Sequence, residues 1–419
     1  MRATTEGLQL VADAAALWWH RLLPLVTVFL SGEALHLLGV TLSVSIGSSH
    51  PAVATVVFVL AVLVRVGALV VMLWLCRPAD DHETVLDVAA MAIGPFLAVY
   101  AVWGLVDDEV YGLFAANIAV SGTGGVDDWS VNLQWLTLYV ALALSAWLLR
   151  QVVGIIARRH PRRLLMFVGV VLEGLWTFAS ALAVLAGVGR LVDWLTSRAV
   201  WQGGLTAWYW FLAALPDLPL PFDLTLPEAV AALVGWFTDT LAPAVWSALL
   251  LPLVWLALTA VVFGYRRMDA QTLVAGTALD AAHADLVSRT SATRLGRLLH
   301  AIGLLLTTDL RTKYLPVLQA FRLLWTSGVW FLAAYLVVAT ALETAEAWAS
   351  RGVTRLLGAR DPYVNLTWAW LEDLVTLVPF TTAAVALYAA ATRRALGGPL
   401  SADAAPAAAS PPARPTAVS

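Results

Sequence analysis

A chain of 419 residues that is 60% hydrophobic, with a mean hydropathy of +0.80 and 13% charged side chains, does not have the make-up of a soluble protein, which carries about 25% charged residues. The net charge of −3 says little, because distribution matters more than the sum, and the basic residues are spread along one membrane boundary, which argues against nucleic-acid binding. The single cysteine, Cys76, excludes an intramolecular disulfide and any multi-cysteine zinc or iron–sulfur site.

Apolar runs of roughly 20 residues recur along the chain, each long enough for a bilayer core of about 30 Å. They predict an all-α, polytopic integral membrane protein with about eight transmembrane helices in four sequential hairpins, plus interfacial amphipathic helices. Lys313 is the only lysine, and Ala, Val and Leu abound, a compositional bias of high-GC bacterial genomes. The expected location is therefore a bacterial inner membrane.

Residues 1–21 read as a cytoplasmic interfacial helix, with Leu8, Val11, Ala15 and Trp18 at helical spacing. The first long apolar run begins near Leu22. It is too long for the core of a cleavable signal peptide and should insert as a signal anchor.

Spans are predicted at about 22–46 and 52–75, joined by the turn Gly47-Ser48-Ser49-His50-Pro51, and at about 85–106. Asp107, Asp108 and Glu109 are expected to end the third span, and 107–130 reads as a glycine-rich outer loop. The fourth span, about 131–149, stops at Arg150. The fifth, about 164–187, follows the basic stretch Arg158-Arg159-His160-Pro161-Arg162-Arg163.

An outer segment, 188–242, contains a proline-rich extended stretch. Within it, Thr225-Leu226-Pro227-Glu228 resembles a capping box before an amphipathic helix at about 227–240. A sixth span lies at about 243–264, a cytoplasmic segment at 265–314, and a seventh span at about 315–342. An outer amphipathic stretch, 343–370, leads to the eighth span, about 371–392, and to a disordered tail at 395–419.

On this layout most of the 25 basic residues fall on one side, which places both termini in the cytoplasm. Tryptophans crowd the outer segments, as interfacial anchors do. A faint hairpin repeat relates 162–267 to 322–394. It preserves orientation and so gives no support for an inverted-repeat transporter.

The chemistry lies in charges inside the apolar runs. Glu33 stands twelve residues past Arg21 and Arg65 twelve before Arg77. At about 1.5 Å per residue both lie roughly 18 Å from one membrane face, so a buried pair is expected. His36 sits one turn from Glu33. By the same counting Glu173 and Arg322 form a second couple, unless Arg322 snorkels to the surface. All five residues are candidates for one polar centre, where a carboxylate-bearing solute would compete with Glu33 for Arg65.

Glu33-x-x-His36 has di-iron spacing, but one copy is too few, so neither metal nor cofactor is expected. No phosphate-binding loop, zinc-protease helix or serine-hydrolase elbow occurs, which argues against an enzyme.

Three roles fit this pattern. One is a permease-like protein acting on a small molecule or lipid. Another is a scaffold or partner subunit that holds membrane lipids or another membrane protein through its tryptophan-rich outer segments. The third is an enzyme on a lipid-linked substrate, with Asp107, Asp108 or Asp128 as acids.

Overall fold

The computed structural model describes residues 2–47, 49–77, 84–102, 105–121, 136–160, 163–220, 224–263, 328–358 and 362–395. These are nearly all helical. In chain order they form α1 (Arg2–Gly47), α2 (Pro51–Leu75), α3 (Val85–Val102), α4 (Leu105–Ser121), α5 (Leu136–Arg159), α6 (Arg163–Thr196) and α7 (Ala199–Ala213). A two-residue strand pair follows, β1 (Pro219–Leu220) antiparallel to β2 (Leu224–Thr225), with Pro219 opposite Thr225. The chain continues through α8 (Leu226–Trp236), α9 (Ala242–Val262), α10 (Val329–Leu357) and α11 (Pro362–Ala395).

Among the described residues, seven helices are long and apolar enough to cross a membrane, and α3 adds a shorter apolar stretch, Val85–Leu97. This is the helix inventory of an all-α membrane protein.

The α1–α2 hairpin organises the bundle. Pro51 begins α2, where its missing N–H costs no helical hydrogen bond. The two helices approach closely through small residues: a Cβ built on Gly32 would lie 2.4 Å from Ala68 Cβ, and one on Gly39 2.7 Å from Ala61 Cβ. Such small-residue seams let backbones meet where lipid supplies no hydrophobic drive. Along the same seam, Ser43 Oγ donates to the Ala54 carbonyl at 2.8 Å.

Around the hairpin, α2 buries Phe58, Val62, Val66, Met72 and Leu73 in the main core. Phe58 meets Phe178 of α6 edge to face, with ring centroids 6.2 Å apart. A second core joins Leu10 and Ala14 of α1 to α9, α10 and α11 around Tyr335.

Several boundaries differ from the sequence expectation. The segments expected at 1–21 and 22–46 form one helix of 46 residues, about 69 Å long. Pro24 lies inside it. A proline there costs about 3 kcal/mol, and packing on both sides of it outweighs this. Upstream, Trp18 Nε1 donates to Thr382 Oγ1 at 3.0 Å, and Arg394 holds Asp13 Oδ2 from Nε at 2.6 Å. Downstream, Leu25 and Phe29 enter the main core.

The expected loop at 107–130 is helical from Leu105 to Ser121. Asp107, Asp108 and Glu109 are therefore inside a helix and do not end one.

The capping box at Thr225 and Glu228 is present, with the Thr225 N–H donating to Glu228 Oε2 at 2.8 Å. The chain does not break between α8 and α9, however, because a π-helical turn, Phe237–Leu241, carries it through. The first part of the seventh expected span, 315–327, lies outside the described residues. Its helix α10 begins at Val329 and runs unbroken past 342 to Leu357, where Gly358 at φ +76 stops it.

Candidate functional site

Four side chains from three helices meet beside the α1–α2 seam. Arg65 on α2 places Nε 3.4 Å from Glu33 Oε2 on α1 and Nη1 3.0 Å from Glu109 Oε1 on α4. His36 Nε2 lies 3.3 Å from Glu109 Oε2, and its Nδ1 lies 3.1 Å from the Ala61 carbonyl. The structure thus brings together three of the five expected residues, Glu33, His36 and Arg65, and adds Glu109.

Glu109 is the dry end of the cluster, with its side chain 4% exposed. Glu33 and Arg65 form the open end, at 21% and 31%. The Arg65–Glu109 contact is a charge-assisted hydrogen bond. The Arg65–Glu33 contact is an ion pair of looser geometry, which leaves Glu33 Oε2 without a hydrogen bond.

Hydrogen-bond logic fixes one more feature. Both ring nitrogens of His36 face acceptors, a carbonyl at Nδ1 and a carboxylate at Nε2. Nδ1 must donate to the carbonyl. The Nε2 side then faces the Glu109 carboxyl group. The arrangement sets an imidazole and a carboxyl group beside a fixed guanidinium charge.

The open end faces a cavity of about 310 Å³ lined by α1, α2, α9, α10 and α11. Gly32, Ala68 and Ala384 leave room in its wall, and Trp255 and Tyr388, stacked with centroids 5.9 Å apart and planes 5° apart, also line it. Glu343 and Glu346, one turn apart on α10, reach the same cavity as Glu33 and Arg65.

Of the second expected couple, only Glu173 is among the described residues. Glu173 is ion-paired with Arg150 of α5. Arg322 lies outside the described residues. The counting that relates Glu33 to Arg65 also relates Arg150 to Glu173, but only when α5 ends at Arg159. The apolar run ends at Arg150, nine residues before the helix does. Glu173 does not line the cavity that holds Glu33 and Arg65.

Three further acidic residues are not among those the sequence points to. Glu109 falls in an expected loop, and Glu343 and Glu346 in an expected outer segment. The signal for Glu109 was Val110, Leu113 and Ala116, whose helical spacing continues beyond the acids.

Asp107 and Asp108 belong to α4, but their side chains, like Asp128, lie outside what the structure describes. Among the described residues no cluster of His, Cys, Asp and Glu could hold a metal ion. No family model matches the chain, and no curated protein or solved structure gives a significant match.

Proposed function

We propose that the protein is a permease-like solute carrier of the bacterial inner membrane, with both termini in the cytoplasm and eight spans once α3 is counted. Its solute site is the cavity between α1, α2, α9, α10 and α11. Glu33 and Arg65 form one wall of that site, and with Glu109 and His36 behind them they provide a polar centre within the apolar bundle.

The observation that carries this role is the meeting of ion pair and cavity. Buried pairs that only fix helix register are sealed by packing. Here a third of Arg65 is exposed and opens on a space large enough for a small solute. Ionisable groups at such depth commonly mark a solute or proton path.

Liposomes containing the full chain can be incubated with a bacterial small-molecule extract, washed, and their retained solutes compared by mass spectrometry. Ala384→Leu fills the cavity without touching the ion pairs. At least one solute should be retained by the wild type and lost with Ala384→Leu. Identical profiles would rule the carrier role out.

A scaffold role has separate support. Trp194, Trp201, Tyr209, Trp210 and Phe211, at the end of α6 and along α7, are exposed, and α7 buries no residue among those described. Amphipathic aromatics of this kind settle at the lipid headgroup level, so these elements would rest on the membrane and hold lipid or a neighbouring membrane protein.

A further inference from the structure

The charge of the cavity identifies the class of solute, if the cavity is the solute site. Arg65 is its only guanidinium among the described residues, and Glu33 and Glu109 already engage it. Glu343 and Glu346 line the same space. Among the described residues neither has a hydrogen-bonding or ion-pairing partner. Glu33 Oε2 makes no hydrogen bond and is held by its ion pair with Arg65.

A carboxylate-bearing solute would have to take Arg65 from two carboxylates while facing two more. Two carboxylates lining a mostly apolar space favour a positive partner, and an incoming cation supplies one. The rest of the wall is apolar and aromatic, with Phe29, Trp255, Phe380 and Tyr388 around the space. Faces of Trp, Tyr and Phe attract an organic ammonium more than a hydrated metal ion, because the ring quadrupole acts on a weakly hydrated charge.

We propose that the cavity takes an organic cation, an ammonium group carrying an apolar body, held between Glu343 and Glu346 on one side and the Trp255–Tyr388 pair on the other. This rests on the carrier reading above and goes beyond it in fixing the sign and chemistry of the solute.

The test uses the full chain in detergent and isothermal titration calorimetry with three probes of one shape: benzyltrimethylammonium, its neutral carbon isostere neopentylbenzene, and benzylphosphonate. The variants are Glu343→Gln, Glu346→Gln, the cavity-filling Ala384→Leu, and Asp217→Asn at an exposed carboxylate outside the cavity. Each is first required to elute as the wild type does on size exclusion.

The cation should bind in preference to both other probes. Each glutamine variant should weaken it about tenfold, Ala384→Leu should abolish binding, and Asp217→Asn should change nothing. If cation and isostere bind equally, unaffected by the glutamine variants but lost with Ala384→Leu, the cationic assignment fails and the cavity reading stands. Preference for the phosphonate also overturns the assignment. If no probe binds the wild type, both fall.

Discussion

Arg65 brings a permanent charge into an apolar bundle, and its stability there depends on Glu109 more than on Glu33. Glu109 is almost fully buried and offers one oxygen to Arg65 and the other to His36. Glu33 is partly exposed and makes only the looser contact. Removing one partner of a buried pair costs roughly 3–5 kcal/mol. Arg65→Met should fall at the lower end of that range, because Arg65 is partly exposed.

Glu33→Gln should cost less than about 1 kcal/mol. Arg65→Met combined with Glu109→Gln should cost less than the two single changes added, since the double variant leaves no unpaired charge. Thermal unfolding in one detergent measures all four, and strict additivity would dissolve the pair. Of these residues, the Glu33–Arg65 depth match is legible because each apolar run is bounded by an arginine, Arg21 and Arg77, that marks one boundary. Glu109 is not, because depth along a helix cannot be counted once the helix itself is read as a loop.

Cys76 offers a second test at this scale. It follows the last residue of α2 and is fully buried. Burial pushes its thiol up to about 11, against a smaller opposing pull from Arg393 and Arg21. The thiolate is the reactive form, so at pH 7.5 a maleimide should label the folded protein negligibly and the SDS-unfolded protein rapidly. Equal labelling of both would place Cys76 at the surface.

At the level of elements, the α1–α2 seam depends on volume. Gly32→Ala would bring two Cβ atoms to 2.4 Å, and Ala68 has no flexible end that can move aside. The helices must separate, so stability should drop by about 1–3 kcal/mol. Adding Ala68→Gly returns the lost space, and the double variant should recover most of the wild-type melting temperature. If the second change makes matters worse, Gly32 and Ala68 do not face each other.

The hairpin and the Thr225 capping box were readable in the sequence because each rests on local chemistry: a polar turn before a proline, and a threonine three residues before a glutamate. The helix ends at 121, 159 and 357 were harder. In lipid, a helix can extend past its apolar run while its polar end lies in water or packs on a neighbour. Hydropathy therefore marks the portion inside the membrane and not the end of the helix, and Arg150 at the old boundary lies inside the longer helix α5.

For the molecule as a whole, the arginine distribution gives a testable orientation. Reporter fusions at residue 1 and residue 395 should both report a cytoplasmic location, and a periplasmic signal from either would overturn it.

The account rests on a cavity that no feature of the sequence announces, because its wall is assembled from five helices far apart in the chain. Its accessibility can be measured directly. In a Cys76→Ser background, cysteine is placed at Thr381, on the cavity wall, and at Phe178, in the closed core, and each is exposed to a membrane-impermeant methanethiosulfonate in intact membranes. Thr381→Cys should react many times faster than Phe178→Cys and should slow when Ala384→Leu fills the space. If Thr381→Cys reacts no faster than Phe178→Cys, the Glu33–Arg65 pair is sealed from water and the carrier role falls with it.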